Sequence, residues 1–175
     1  MKIRIVTAAI VSTVLAVAPA TRAQSSVDGR EELGRALTGA WLPLESAVAV
    51  SASEGTPLSA KYEVEDDVFQ LSVYTLKTDG SAGDSFLEVI VDHSAGIVGS
   101  VSPISGGRDL AAAEAQRSAM TAARRSIADA TAEAVKANAG YRAVSVTPRV
   151  EGGRPIAEVT LVHGDDWKLV AVPLD

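Results

Sequence analysis

Cysteine is absent from all 175 residues. That excludes a disulfide framework, a thiolate metal site and a thiol nucleophile. Aromatic residues make up only 4% of the chain although 47% of it is hydrophobic. Ala and Val must therefore fill most of the core, which implies closely spaced elements and modest stability per residue. Histidine is scarce as well, with His93 and His163 alone. A hydrolase needs a nucleophile with its base, or a metal with its ligands. No Gly-rich phosphate loop, Ser elbow or metalloprotease helix motif is present. No catalytic, cofactor-binding or metal residue is assigned on these grounds, no cofactor is expected, and the chain reads as a non-enzyme.

Basic side chains are also in deficit, 16 against 22 acids, for a net charge of −6. The start of the chain reads as an export signal over residues 1–23. Lys2 and Arg4 form a charged beginning, Ile5 to Ala18 is an apolar run, and Ala18-Pro19-Ala20 and Thr21-Arg22-Ala23 offer two cleavage sites. The apolar run is short for a membrane span of about 20 residues. The expected location is thus the periplasm or the medium, with no stable membrane insertion after cleavage and no lipid-anchored cysteine. Cleavage removes three basic residues and no acid, leaving −9. Such a surface repels phosphate backbones and anionic lipids, so nucleic acid is excluded as a partner.

What remains is organised by periodicity. Residues 24–41 form an N-terminal segment with a short helix starting near Gly29, capped by Asp28 and closed by Gly39. Trp41 is expected as an apolar plug over the core. Pro43 suits the first position of a second helix, whose Leu44, Ala47, Val48 and Ser51 share a face. Leu58, Ala60, Tyr62 and Val64 then alternate with Ser59, Lys61, Glu63 and Glu65, the pattern of a strand with one wet face. Asp66-Asp67 turns into a strand carrying Phe69, Leu71 and Val73 inward. A loop over residues 77–84 leads to a third strand, Phe86 to Val91, and Asp92 to Gly96 turns out of it.

Residues 102–107 hold Pro and two Gly and read as a linker between residues 42–101 and 108–175. Asp109 is expected to cap a long Ala-rich helix reaching about Asn138. Ala113, Met120, Ile127 and Ala134 recur every seven residues as its apolar stripe, while Glu114–Arg117, Arg125–Asp129 and Glu133–Lys136 are opposite-charge pairs. A continuous helix of that length spans roughly 40 Å against ~23 Å for a seven-residue strand. The expectation is a break, or a contact with the other half, near residues 118–121. Three strands close the chain, with Pro148 directing the first to a sheet edge and turns at Glu151–Arg154 and Gly164-Asp165-Asp166. The fold class is α+β: two units in tandem, each a helix plus a three-stranded antiparallel sheet.

Leu42-Pro43-Leu44-Glu45-Ser46-Ala47-Val48-Ala49-Val50 resembles the opening helix of PepSY domains, and Asp92-His93-Ser94-Ala95-Gly96-Ile97-Val98 resembles their closing turn. Ala95 stands where that family usually has Thr, and the second half lacks the closing Asp-to-Gly turn. The resemblance implies two PepSY-like repeats, the second divergent. It also implies export and a binding or peptidase-inhibiting role, and it carries over no catalytic residue.

Three local clusters invite chemistry. His163-Gly164-Asp165-Asp166 has donors for a divalent ion, but a zinc site wants three or four converging ligands, and a solvated hairpin tip accounts for the run. Asp79 to Asp84 faintly resembles a calcium loop but holds Asp84 at its sixth position and Ile90 at its twelfth, so it is rejected. Glu63, Glu65, Asp66 and Asp67 keep a strand edge soluble, or serve as a docking patch for a basic partner. Two functions are weighed. One is an exported binding module that inhibits or chaperones a secreted or envelope peptidase through a sheet face or edge, its contact residues unassigned. The other is a periplasmic small-molecule carrier or sensor with a pocket between helix and sheet, lined by Trp41, Tyr62 or Trp167.

Overall fold

The computed structural model describes residues 20–80 and 83–175. The charged start and apolar run read as an export signal lie outside them. The chain opens with α1 (Ala20–Leu37) and α2 (Leu44–Ser51). Helix α1 starts well before Gly29, because residues 20–28 contain neither Pro nor Gly to interrupt it. Asp28 is therefore internal to the helix and not its cap. Pro43 stands one place earlier than expected, as the residue before α2, and its carbonyl receives the amides of Ser46 and Ala47. Leu44, Ala47, Val48 and Ser51 are the buried face of α2, as the spacing predicts.

Four strands follow: β1 (Thr56–Glu65), β2 (Val68–Asp79), β3 (Gly83–Asp92) and β4 (Ile97–Ile104). Asp66 and Asp67 both take positive φ, the geometry of a two-residue hairpin turn. The expected 77–84 loop is mostly strand, since Lys77, Thr78 and Asp79 pair with Ser85, Asp84 and Gly83. Next come α3 (Gly107–Thr121), α4 (Ile127–Ala137), β5 (Arg142–Glu151), β6 (Arg154–His163) and β7 (Asp166–Pro173). The strands form one antiparallel sheet in the order β4-β3-β2-β1-β5-β6-β7.

The two expected three-stranded units are thus one sheet, and the first half contributes four strands. Strand β4 takes up residues 102–104 of the expected linker. The halves meet where β1 lies beside β5, in register at Ala60↔Val146 and Lys61↔Ser145. Each of these strands carries a bulge just ahead of the junction, between Pro57 and Ser59 and between Ala143 and Ser145. The two bulges thus stand alike about the Ala60–Val146 pair. Pro148 sits in this central strand and not at an edge. The β1 register does not extend to it, although it stands opposite Ala157 of β6.

The main core lies between α2, α4 and one sheet face, with Leu44, Val48, Leu71, Val73, Ile127, Val146, Val159 and Leu161 all buried. A second cluster forms on the opposite face, where Leu58, Tyr74 and Phe86 pack on Ala113 of α3. The bulge at Leu58 explains why that residue leaves the face of Ala60. The long helix breaks after Thr121, and Met120 beside the break touches both clusters. Asp109 does not cap α3; Gly106 precedes the helix, and the Asp109 carboxylate instead bonds the Tyr74 hydroxyl. Arg117 pairs with Asp84 and Arg125 with Glu133, so the expected Glu114–Arg117 and Arg125–Asp129 pairs are replaced by longer-range ones. Ser126 caps α4 through the Asp129 amide.

The connection between α1 and α2 is tied to the junction by Arg142 of β5. Its guanidinium donates to the carbonyls of Leu37 at 3.2 Å, Ala40 at 2.9 Å and Leu42 at 3.4 Å, and lies 5.4 Å from the Tyr62 ring centre. The Tyr62 hydroxyl of β1 donates to the same Leu42 carbonyl. A planar cation with several donors suits a helix end with unpaired carbonyls. Arg142→Ala should destabilise the fold by about 2 kcal/mol in urea unfolding, and Arg142→Lys should recover less than half of that loss, because an ammonium cannot span three carbonyls. The Thr75 hydroxyl is buried in β2 without a hydrogen-bond partner. Thr75→Val should therefore raise stability by about 1 kcal/mol in the same assay.

Candidate docking surface

Register decides which side chains share a face. Residues opposite the main core include Lys61, Glu63, Gln70, Ser72 and Glu88 in the first half and Thr147, Arg149, Glu158, Thr160, Leu169 and Ala171 in the second. Helix α3 covers this face around Ser59 and Tyr74, with Ser59 Oγ donating to Gln116 Oε1 at 2.8 Å. Burial, with the Asp109 carboxylate accepting its hydroxyl proton, pushes Tyr74 upward from its ordinary value. Helix α1 reaches the second half at Gly34, whose ideal Cβ would stand 3.9 Å from the Trp167 ring. Each half's leading helix thus packs on its own half and also touches the other.

Between these helices the face is open. Its first-half polar groups are paired: across strands Gln70 Nε2 donates to Glu63 and Glu65 and Ser72 Oγ to Glu88, and along β1 Lys61 pairs with Glu63. In the second half Arg149 pairs with Glu158 at 2.8 Å. Beside that pair Leu169 is 62% exposed, with Thr147 and Ala171 also exposed. An apolar side chain framed by small hydroxyls and an Arg is the composition of a protein contact surface.

Trp41 is 85% exposed and does not plug the core. Leu42 fills that place, because its amide is held by the His93 carbonyl and its carbonyl by Tyr62 and Arg142. Trp41 instead borders a groove of about 380 Å³ between α2, α4 and β5, shared with Leu44, Val135, Tyr141 and Arg142. Tyr62 is buried and does not reach the groove, while Trp167 borders a separate one beneath α1. Of the three aromatic residues offered as pocket lining, Trp41 and Trp167 thus border different grooves and Tyr62 neither.

The two histidines lie in different halves. His93 tilts on Phe69 with ring centres 4.8 Å apart, and His163 Nδ1 lies 2.7 Å from the Gly140 carbonyl. Asp166 accepts the Tyr141 hydroxyl, so the His163–Asp166 run is tied into the strand end. Among the described residues no group of three or more His, Asp and Glu is placed to hold a metal ion. Also among them, no helix is long and apolar enough to cross a membrane. Comparison with family models, with curated proteins and with solved structures returns no match.

The Asp92–Gly96 turn packs against the α1–α2 connection. The Asp92 carboxylate accepts the amides of Ser94 and Ala95 at 2.8 and 2.9 Å, which hold it below the usual carboxylate range. Gly96 closes the turn at φ +69°, where a Cβ would meet Leu42 at 3.3 Å. A depressed folded value means that the contribution of Asp92 is present above its unfolded value, about 3.9. It fades as pH falls through the folded value. Asp92→Ala should lower Tm at pH 7 by a few degrees and flatten the Tm loss of the parent chain as pH falls below about 4.

Proposed function

We propose that the chain is an exported, non-enzymatic binding module of two PepSY-like repeats. It docks on a protein partner, of which a secreted or envelope peptidase is the class that the resemblance implies. The single observation that carries this reading is the open sheet face with exposed Leu169 beside the Arg149–Glu158 pair. The mechanism is occlusion: the twisted face seats against the partner and blocks access to it. Export is supported by the signal-like start, and the repeat by the two bulges placed alike about the Ala60–Val146 pair. Thr147 stands at the centre of the face, on β5 next to the junction, so a charge there disrupts docking without touching either sheet edge. Immobilised chain should retain a peptidase from the envelope fraction of an exporting organism and inhibit it stoichiometrically, and Thr147→Glu should weaken that inhibition about tenfold or more. A peptidase fully active under saturating protein contradicts the reading.

The second reading, a small-molecule carrier or sensor, is favoured by the Trp41–Tyr141 groove between helices and sheet. Native mass spectrometry separates the two. A co-purifying small molecule lost on Trp41→Ala favours the carrier, and an empty chain favours the docking module.

A further inference from the structure

The open face ends at two sheet edges, and they differ. Strand β4 has its register interrupted at Gly99, which falls between the Ser100 and Val98 pairings, and it carries Pro103. A bulge and a proline are devices that blunt an edge against strand addition. Strand β7 has neither in its body. Its pairing with β6 runs without a break from Asp166 to Pro173. Alternate N–H and C=O groups along Trp167–Val172 face away from β6. Among the described residues none of them bonds to another backbone group beyond that strand.

Side chains on β7 agree with an edge left available. Lys168 is the one charged residue from Trp167 to Pro173, and a lysine is the usual guard of an edge. Here its Nζ is drawn onto the Tyr141 ring, 3.9 Å from the centre, on the helix side of the sheet. The run Leu169-Val170-Ala171-Val172 is uncharged, with Leu169 and Ala171 on the open face. At the start of the strand stand Asp165 and Asp166, and Asp165 makes no ion pair among the described residues.

We propose that β7 accepts an extended segment of the protein partner as an eighth, antiparallel strand. The segment is apolar in alternation and carries basic residues at the end that lies beside Asp165 and Asp166. This rests on the docking reading above and adds the edge and the chemistry of the strand that occupies it. Main-chain hydrogen bonds hold the segment, and Leu169 and Ala171 meet its side chains on the open face. The acids select its charge, since rim charges set specificity and on-rate more than affinity. Antiparallel addition places the partner segment's C-terminal residues at the Asp165 end, so the basic pair belongs there.

The test uses the full chain and a fluorescent capped peptide, Thr-Val-Thr-Val-Thr-Lys-Lys, read by anisotropy. Saturable binding in the range of tens of μM is expected for a segment of this size (order of magnitude only). The same peptide N-methylated at alternate residues should lose binding, because it cannot complete the ladder. Replacing the terminal Lys pair by Glu should weaken binding about fivefold at low salt, and Asp165→Asn should shrink that difference. Val101→Lys on β4 should change nothing. Equal binding of the methylated peptide, or loss of binding on Val101→Lys, overturns the assignment of β7. No binding of any peptide also overturns it. The docking reading stands apart, since inhibition that is sensitive to Thr147→Glu but indifferent to the peptide would retain the face and remove the edge.

Discussion

Tyr62 and Arg142 converge on one carbonyl, that of Leu42, and much of the molecule follows from that meeting. Tyr62 belongs to β1, Arg142 to β5, and Leu42 to the connection that positions α2 over the main core. Paired backbone register between the halves is confined to Ala60↔Val146 and Lys61↔Ser145. So short a ladder is a weak weld by itself, worth a few net hydrogen bonds of about 1 kcal/mol each. The guanidinium stacked on the phenol ring, with three carbonyls beneath it, adds side-chain and cap interactions at the same seam. The buried contacts of α2 with α4 then close the core across it.

The two leading helices straddle the seam and reinforce it. Helix α3 belongs by sequence to the second half, yet it lies on Leu58, Tyr74 and Phe86 of the first. Helix α1 precedes the first half but reaches Trp167 of the second. Each helix covers part of the face opposite the core, and the uncovered remainder is the surface assigned to docking. Cross-strand pairing of Gln70, Glu63, Glu65, Ser72 and Glu88 keeps the first-half part polar and ordered. Among the described residues the large apolar side chains most exposed on this face are Leu169 in the second half and Val68 at the far end of the first. The function proposed for the chain therefore depends on how the two halves are fastened together.

Much of this architecture is legible in the amino-acid order, and the failures have physical causes. Strands β1, β2, β3, β5 and β6 announce themselves because one face is buried and the other wet. Strand β4 hides because it is an edge with mostly exposed side chains, so Ile97 to Ile104 shows no alternation of burial. The break near Thr121 follows from length alone, since a helix that long overhangs its sheet. Where α3 packs does not follow, because its buried positions are Ala113, Gln116 and Ala119, and a Gln that is satisfied only by Ser59 reads as solvated. Residue type points Trp41 inward, but the Leu42 amide and carbonyl are the groups anchored there. Of the docking surface, the strand faces could be read in advance. The exposure of Leu169 and the posture of Lys168 depend on tertiary contacts that periodicity does not encode.

The central claim is that a short β1–β5 weld, reinforced by Arg142 and Tyr62, makes one cooperative unit of the two halves. Native-state hydrogen exchange in rising urea tests it most directly, through the amides of Val73 on β2 and Val159 on β6. The account predicts that both merge into one isotherm with a single free energy and a single urea slope. If the two amides open with distinct free energies and slopes, the halves are independent units that merely touch, and the account is wrong.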